Sequence, residues 1–412
     1  MKRKAKRLKK YSNRTGYQNS IKKILYQSLT VLIFSVIGES ITGSVLVGMK
    51  EKITLIPGLL IIVPALTDLR GNVGAAFGER LSTMLHLGII KPKFAFSEII
   101  KQNIFASFSL TAFVAFIIGM SAPLFSKLFH IKSSSPLTLS FISTSAGIIS
   151  SLVLLPIVFF LVLAAYRHNI DPDNIVAPTL PVIGDIVTVS AIYLASIVAL
   201  KFVKVSAIPL IIALFLLTNG FKKRKSFPKR YHYFPILKQS IPVLLICLSI
   251  GITSGIFLQS AEKTFALFPL MLSLVPQVIA QGGSIGGIVG SRVSTSLYLG
   301  TAKPFVWNKE VIKNFTAGII MGVAIGPFIA VVSFIAGIVT KTPLVPFTKI
   351  LVISSASMAI LSILTGILAI YTAFFSFKIK LDPSNVVIPL ITSMGDIAGV
   401  LVLLFVIKLI LL

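Results

Sequence analysis

Long apolar runs, separated by short polar segments, set the pattern of this chain. Eleven can be read: about Leu25 to Val47, Thr54 to Gly88, Phe96 to Met120, Leu137 to Tyr166, Ile175 to Leu200, Val205 to Asn219, Ile236 to Leu258, Thr264 to Gly300, Val311 to Val339, Phe347 to Phe377 and Val386 to Leu411. A helix needs about 20 apolar residues to cross a bilayer, and all but the short Val205 to Asn219 connector are near or above that length. The pattern predicts an all-α polytopic membrane protein of about eleven transmembrane helices.

The pattern repeats. Pro64 to Gly88 and Pro276 to Gly300 align without gaps at an offset of 212, with identities at Pro64/Pro276, Gly71/Gly283, Gly74/Gly286, Gly78/Gly290, Arg80/Arg292, Ser82/Ser294, Thr83/Thr295, Leu85/Leu297, Leu87/Leu299 and Gly88/Gly300. A second pair of segments, Asp171 to Ile186 and Asp382 to Ile397, aligns at an offset of 211 and places Asp185 on Asp396. The predicted organisation is a basic tail (1–24), a first five-helix repeat (25–202), a linking helix with a basic loop (203–235) and a second five-helix repeat (236–412). The linking helix brings the chain back to its starting side, so the two repeats are expected to be parallel and their counterpart residues to lie at equal depth.

Composition agrees with a membrane location: 12% charged residues, 55% hydrophobic residues and a mean hydropathy of +0.95 are far from the composition of a soluble domain. The net charge of +27 raises nucleic acid as a partner, but the basic residues flank apolar spans and no recognition fold accompanies them. The positive-inside rule accounts for them better. It places the N-terminus in the cytoplasm and the C-terminus outside, with the multi-pass chain in the plasma membrane and its basic tail against anionic headgroups. No cleavable signal sequence is evident. The lone Cys247 excludes an intrachain disulfide, and the four histidines show no metal-ligand spacing.

Within the spans, Asp185 and Asp396 are the sharpest chemical signals. Each is expected about ten residues into its helix and therefore near mid-membrane, where a carboxylate costs at least ~2.5 kcal/mol and faces a cavity, a partner or an ion path. Pairing with Arg70, Arg80 or Arg292 is the structural alternative. Segments two and eight are overlong, about 35 residues, and glycine-rich at their centres. A helix break is expected at Arg70-Gly71-Asn72 and at Gly282-Gly283-Ser284, freeing backbone groups to line a path; the alternative is that the glycines serve close packing. Asp68 falls on Ala280, Glu79 falls on Ser291 and Glu39 has no nearby acidic counterpart, so the site is expected to be asymmetric. Glu39 is read either as pore lining or as part of a local hydrogen-bonded pair. The Asp-Pro-x-Asn segments at Asp171 and Asp382 read as turns followed by an Asn N-cap.

Carboxylate, amide, hydroxyl and carbonyl oxygens suit a hard cation. Mg²⁺ fits best because it sheds water reluctantly and can be held through its hydration shell. The candidate ion ligands are thus Asp185, Asp396, Asn72, Ser284, Asp68, Glu39, Gly71 and Gly283, with Mg²⁺ as the transported ion and no organic cofactor. Another cation (Mn²⁺, Ca²⁺ or Na⁺/H⁺ antiport) is the alternative. A membrane-embedded lipid enzyme is a remote one, since no nucleophile with a base is apparent.

At these residues the chain resembles the MgtE magnesium channels and, more closely, the solute carrier family 41 magnesium transporters. The resemblance is carried by Pro64, Ala65, Leu66, Gly71, Asn72, Arg80, Leu81, Ser82, Thr83 and Gly184-Asp185, and again by Pro276, Gly283, Arg292, Ser294, Thr295 and Gly395-Asp396. It implies a cation pore between two five-helix units, with the Asp of the last helix at the ion site and the chain acting as a fused pseudo-dimer. Ser284 stands where the first repeat has Asn72, which weakens any ion contact there. Gating by cytosolic sensor domains is not carried over.

Overall fold

The computed structural model describes residues 21–86, 88–92, 97–168, 172–201, 233–379 and 383–411. The expected linking helix over 205–219 lies outside them. The described residues form α1 (Ile21–Gly48), α2 (Lys50–Leu55), α3 (Leu59–His86), α4 (Glu98–Leu128), α5 (Pro136–Arg167), α6 (Pro172–Lys201), α7 (Tyr233–Ser260), α8 (Glu262–Leu267), α9 (Met271–Tyr298), α10 (Lys309–Val339), α11 (Phe347–Lys378) and α12 (Pro383–Leu411). Ten of these are long and apolar enough to cross a membrane. The protein is an all-α polytopic membrane protein, and among the described residues there is no strand. The duplication extends to the element lengths: 28, 6, 28, 31 and 32 residues for α1 to α5, and the same five values for α7 to α11.

The helix breaks do not fall where the glycines suggested. Helix α3 runs unbroken through Gly71-Asn72, and α9 runs unbroken through Gly282-Gly283-Ser284. The excess length of segments two and eight is taken up earlier, where a short helix ends before a proline: Ile56-Pro57-Gly58 in the first repeat and Phe268-Pro269-Leu270 in the second. A residue preceding proline is driven out of the α region, and Ile56 accordingly sits at φ −121° and ψ 81°. Gly58 completes the turn at φ +90°, a conformation that side chains with a Cβ disfavour. A second correction concerns the Asp-Pro-x-Asn segments. Helices α6 and α12 begin at Pro172 and Pro383, so Asn174 and Asn385 lie within the first turn and are not N-caps. Proline is suited to that first position because its fixed φ is helical and it lacks the amide proton that would go unused there.

The chain divides into two compact units that cut across the repeats. One comprises the chain up to Ser44 together with Phe268–Leu412; the other is Val45–Leu267. Each unit therefore takes its first long helix from the opposite repeat. In one unit α1 packs on α9: a methyl group added to Gly43 would lie 2.8 Å from the Ser273 Cα. In the other, α7 packs on α3, with Gly251 against Ala65 and Gly255 against Ile61, backbone to backbone, while the Gln259 side chain accepts from the Leu60 amide at 3.1 Å. The three glycine contacts share one antiparallel register, since the residue numbers at each crossing have the same sum.

Each unit has an apolar core built from the same positions. Phe77, Leu81, Leu85, Val158, Val162, Leu163 and Leu180 in one correspond to Val289, Val293, Leu297, Ala369, Ala373, Phe374 and Ile391 in the other. Phe77 is lost to valine, and Leu163 gains volume as Phe374. Cores accept such exchanges when total volume is roughly kept. The opposite faces carry exposed large apolar side chains, for example Phe34, Ile37 and Ile41 on α1 and Phe405 and Leu409 on α12, as lipid contact requires.

An unbroken α3 makes a direct prediction about stability. Gly71 faces open space, so Gly71→Ala should leave the melting temperature unchanged or raise it, the helical gain being about 1 kcal/mol. Gly255→Ala, which drives a methyl into the Ile61 backbone, should cost about 1–3 kcal/mol. Thermal unfolding in detergent, followed by light scattering and gel filtration, checks both; a destabilised Gly71→Ala protein would restore the break.

Candidate functional site

The candidate ligands divide between the units. Asp68, Gly71, Asn72 and Asp185 belong to one; Glu39, Gly283, Ser284 and Asp396 belong to the other. In the first, Asp68 and Asn72 stand four residues apart on one face of α3, as helical periodicity requires. Helix α6 crosses α3 with Leu180 against Gly74, where an added methyl would lie 3.0 Å away. Further along this crossing, Asp185 reaches the level of Asp68, and the two carboxylates are close enough to act on each other electrostatically. Asp68, Gly71, Asn72 and Asp185 are all only partly buried, and nothing comes within 4 Å of a methyl placed on Gly71. The two acids and the amide thus lie on partly exposed stretches of α3 and α6.

Among the described residues, no arginine holds Asp185. Arg70, almost fully buried, donates from Nη1 to Thr111 Oγ1 at 3.0 Å and to Ser151 Oγ at 2.8 Å. Arg80 donates from Nε to Asn103 Oδ1 at 2.9 Å and from Nη2 to Ser107 Oγ at 3.0 Å. The second repeat reproduces the latter pairing: Arg292 Nε donates to Asn314 Oδ1 at 2.8 Å, and each asparagine in turn donates to the carbonyl four residues earlier in its helix. The three arginines weighed as partners for the intramembrane carboxylates therefore have amide and hydroxyl partners. Glu79 does act electrostatically on Arg80.

The corresponding crossing in the other unit is closed. Helix α12 meets α9 so tightly that a methyl on Gly395 would lie 3.1 Å from the Gly283 Cα, and Gly286 packs against Ile391 and Thr365. Gly283 thus permits the close approach of the helix that carries Asp396, and its backbone remains in the helix. Asp396 is half-buried next to this contact, Ala280 replaces the second carboxylate, and Ser284 is exposed. Glu39 is fully buried on α1. The two crossings differ most in the packing around Gly71 and Gly283, which residue identities alone do not reveal.

Among the described residues no three His, Cys, Asp or Glu side chains gather into a direct metal cage. The sequence reading missed Asn103 and Asn314, which extending the repeat offset to polar residues would have found, and Gln277 and Gln281, whose four-residue spacing in an apolar helix was a signal.

Comparison with known proteins covers both halves. Solute carrier family 41 member 3 of Mus musculus is 23% identical over 380 residues, spanning 83% of this chain and 73% of its own length. Solute carrier family 41 member 2 of Homo sapiens is 21% identical over 374 residues, spanning 83% of this chain and 62% of its own length. The MgtE family model, described as a divalent cation transporter, matches in tandem at residues 63–196 and 275–406. The chain is a duplicated member of the MgtE family of divalent cation transporters.

Proposed function

We propose that this transporter moves Mg²⁺ and that Asp68, Asn72 and Asp185 hold the ion, still hydrated, within the membrane. The observation that carries this reading is the convergence of two carboxylates from α3 and α6 at the unfilled face next to Gly71. Asp185 stands thirteen residues after the start of α6, a rise of roughly 20 Å, which is close to mid-depth. Two neighbouring carboxylates repel each other in a poorly solvated site, and a divalent cation relieves that repulsion while keeping its inner waters. Asp396, the counterpart of Asp185, offers the same carboxylate in the other unit, where Ser284 offers a hydroxyl. In this reading the continuous helices remove Gly71 and Gly283 as carbonyl donors and leave them as spacing residues.

The test is Mg²⁺ flux in proteoliposomes, together with calorimetric binding. Asp185→Asn and Asp68→Asn should each weaken binding by about 1–3 kcal/mol, roughly five- to 150-fold, with the protein still monodisperse. Their effects should be non-additive, because either change alone abolishes the paired charge. Asp396→Asn should slow flux. Wild-type flux in the Asp68→Asn/Asp185→Asn double variant would sink the site, and competition by Mn²⁺ or Ca²⁺ at equal concentration would replace Mg²⁺ as the substrate.

The same proposal places the chain in the plasma membrane as a functional monomer, with a cytoplasmic N-terminus against anionic headgroups and an external C-terminus. The basic run at Lys222-Lys223-Arg224-Lys225 motivates it. Cysteines introduced at Lys223 and Ser384 should be labelled by an impermeant thiol reagent only from the cytoplasmic side. Labelling of either from outside refutes the parallel arrangement.

A further inference from the structure

One end of the unit that contains Phe268–Leu412 carries an aromatic surface, remote in sequence from Asp68 and Asp185. Helix α9 stops there at Tyr298 and α10 starts at Lys309. The loop joining them leaves three consecutive large apolar residues in the open: Phe305 is 47% exposed, Val306 48% and Trp307 38%. The rings anchor this loop on the helices. Trp307 stands edge-on to Phe315 of α10 at 5.4 Å and to Tyr371 of α11 at 6.4 Å between ring centres, and Phe305 lies 5.6 Å from Phe374 of α11. Phe305 holds φ +59°, a left-handed conformation that a bulky side chain rarely adopts, so the turn stores strain in keeping an aromatic residue at the surface.

Basic side chains frame the triplet. Lys303 in the loop and Lys309 at the start of α10 flank it, and both are exposed. The exposed Lys378, at the end of α11, holds its Nζ over the Phe305 ring, 5.4 Å from the centre. Glu310, the acid in this stretch, is engaged by Lys313 at 3.2 Å. The other repeat offers the comparison. Arg167, at the position of Lys378, donates from Nε to Pro92 O at 2.7 Å, so there the basic side chain clasps the loop backbone. Pro304 stands at the position of Pro92, and Lys378 reaches past it to the aromatic ring of the next residue.

Bare apolar side chains in a row are unfavourable in water, whereas Trp and Tyr settle at the headgroup level of a bilayer, with the ring against hydrocarbon and the polar edge wet. The ends of membrane-spanning helices stand at that level, and lysines placed there attract anionic headgroups. We propose that Lys303, Lys309 and Lys378, with Phe305, Val306 and Trp307, form a binding site for an anionic phospholipid. The lysines take the negatively charged headgroup, and the apolar triplet takes the start of the acyl chains. The site shares no residue with the Asp68/Asp185 pair and stands whether or not that pair holds an ion.

Trp307 is the single tryptophan of the chain, so its fluorescence reports on this loop alone. The full-length protein is placed in bilayers of phosphatidylcholine, into which either phosphatidylglycerol or further phosphatidylcholine is titrated. The titrated lipid carries bromine on the upper part of its acyl chains as a contact quencher. Brominated phosphatidylglycerol should reach half-maximal quenching at about a fivefold lower mole fraction than brominated phosphatidylcholine, and added NaCl should narrow the difference. Combining Lys303→Gln with Lys378→Gln should bring the two lipids together. Lys341→Gln, beyond the opposite end of α10, should leave the wild-type preference intact. Equal quenching by the two lipids in wild type overturns the proposal. So does a preference that survives in the double variant, and so does quenching by aqueous acrylamide with none by brominated lipid, which would put the loop in water. Protection of Trp307 from both quenchers, the result of a second copy of the chain covering the loop, overturns it as well.

Discussion

A polar side chain carried into the hydrocarbon core must be met inside the protein, and the arrangement of these helices follows from how each one is met. Asn103 and Asn314 are held by their own helix carbonyls and turn their amide oxygens to Arg80 and Arg292; Thr111 and Ser151 do the equivalent for Arg70. These are permanent fixtures that tie α3 to α4 and α5, and α9 to α10. Asp68 and Asp185 are met differently. Their carboxylates act on one another electrostatically, a repulsion that a poorly solvated setting strengthens.

The two repeats answer one another as an internal control. Arg70 is replaced by Gly282, against which Leu361 closes, while Thr111 becomes Gly322, packed on Ser362. Where one repeat builds a polar interior, the other builds a seam of small residues that brings helices into backbone contact. The backbone plan tolerates both, because close glycine packing and a satisfied polar interior each fill the space between the same helices. Divergence of chemistry on a shared plan is thus confined to a few facing positions, and those positions are where transport chemistry can differ between halves.

Much of this was legible beforehand. The apolar runs gave the long helices, and the offsets of 211 and 212 gave the duplication down to element lengths. Asp185 and Asp396 stood out because ionisable residues are rare inside spans. The placement of the helix breaks was misread because a glycine cluster is conspicuous, whereas Ile56-Pro57 and Phe268-Pro269 hide a break inside an apolar run. The exchange of first helices was not legible at all. The small faces of α1 and α7 at Gly43 and Gly255 specify a partner with matching relief, and both repeats offer one.

That exchange bears on how the chain matures. During synthesis α1 leaves the ribosome first, yet its partner α9 begins at Met271. At about 5–20 residues per second, the interval is on the order of ten to fifty seconds. Throughout it, a helix bearing the buried Glu39 waits in the membrane without the helix against which its Gly43 face packs. The insertion machinery must shelter that helix, or the lipid must tolerate it, until the second half arrives. Assembly of either half is therefore contingent on the other, and an interrupted chain leaves a stranded helix, not a finished half-transporter.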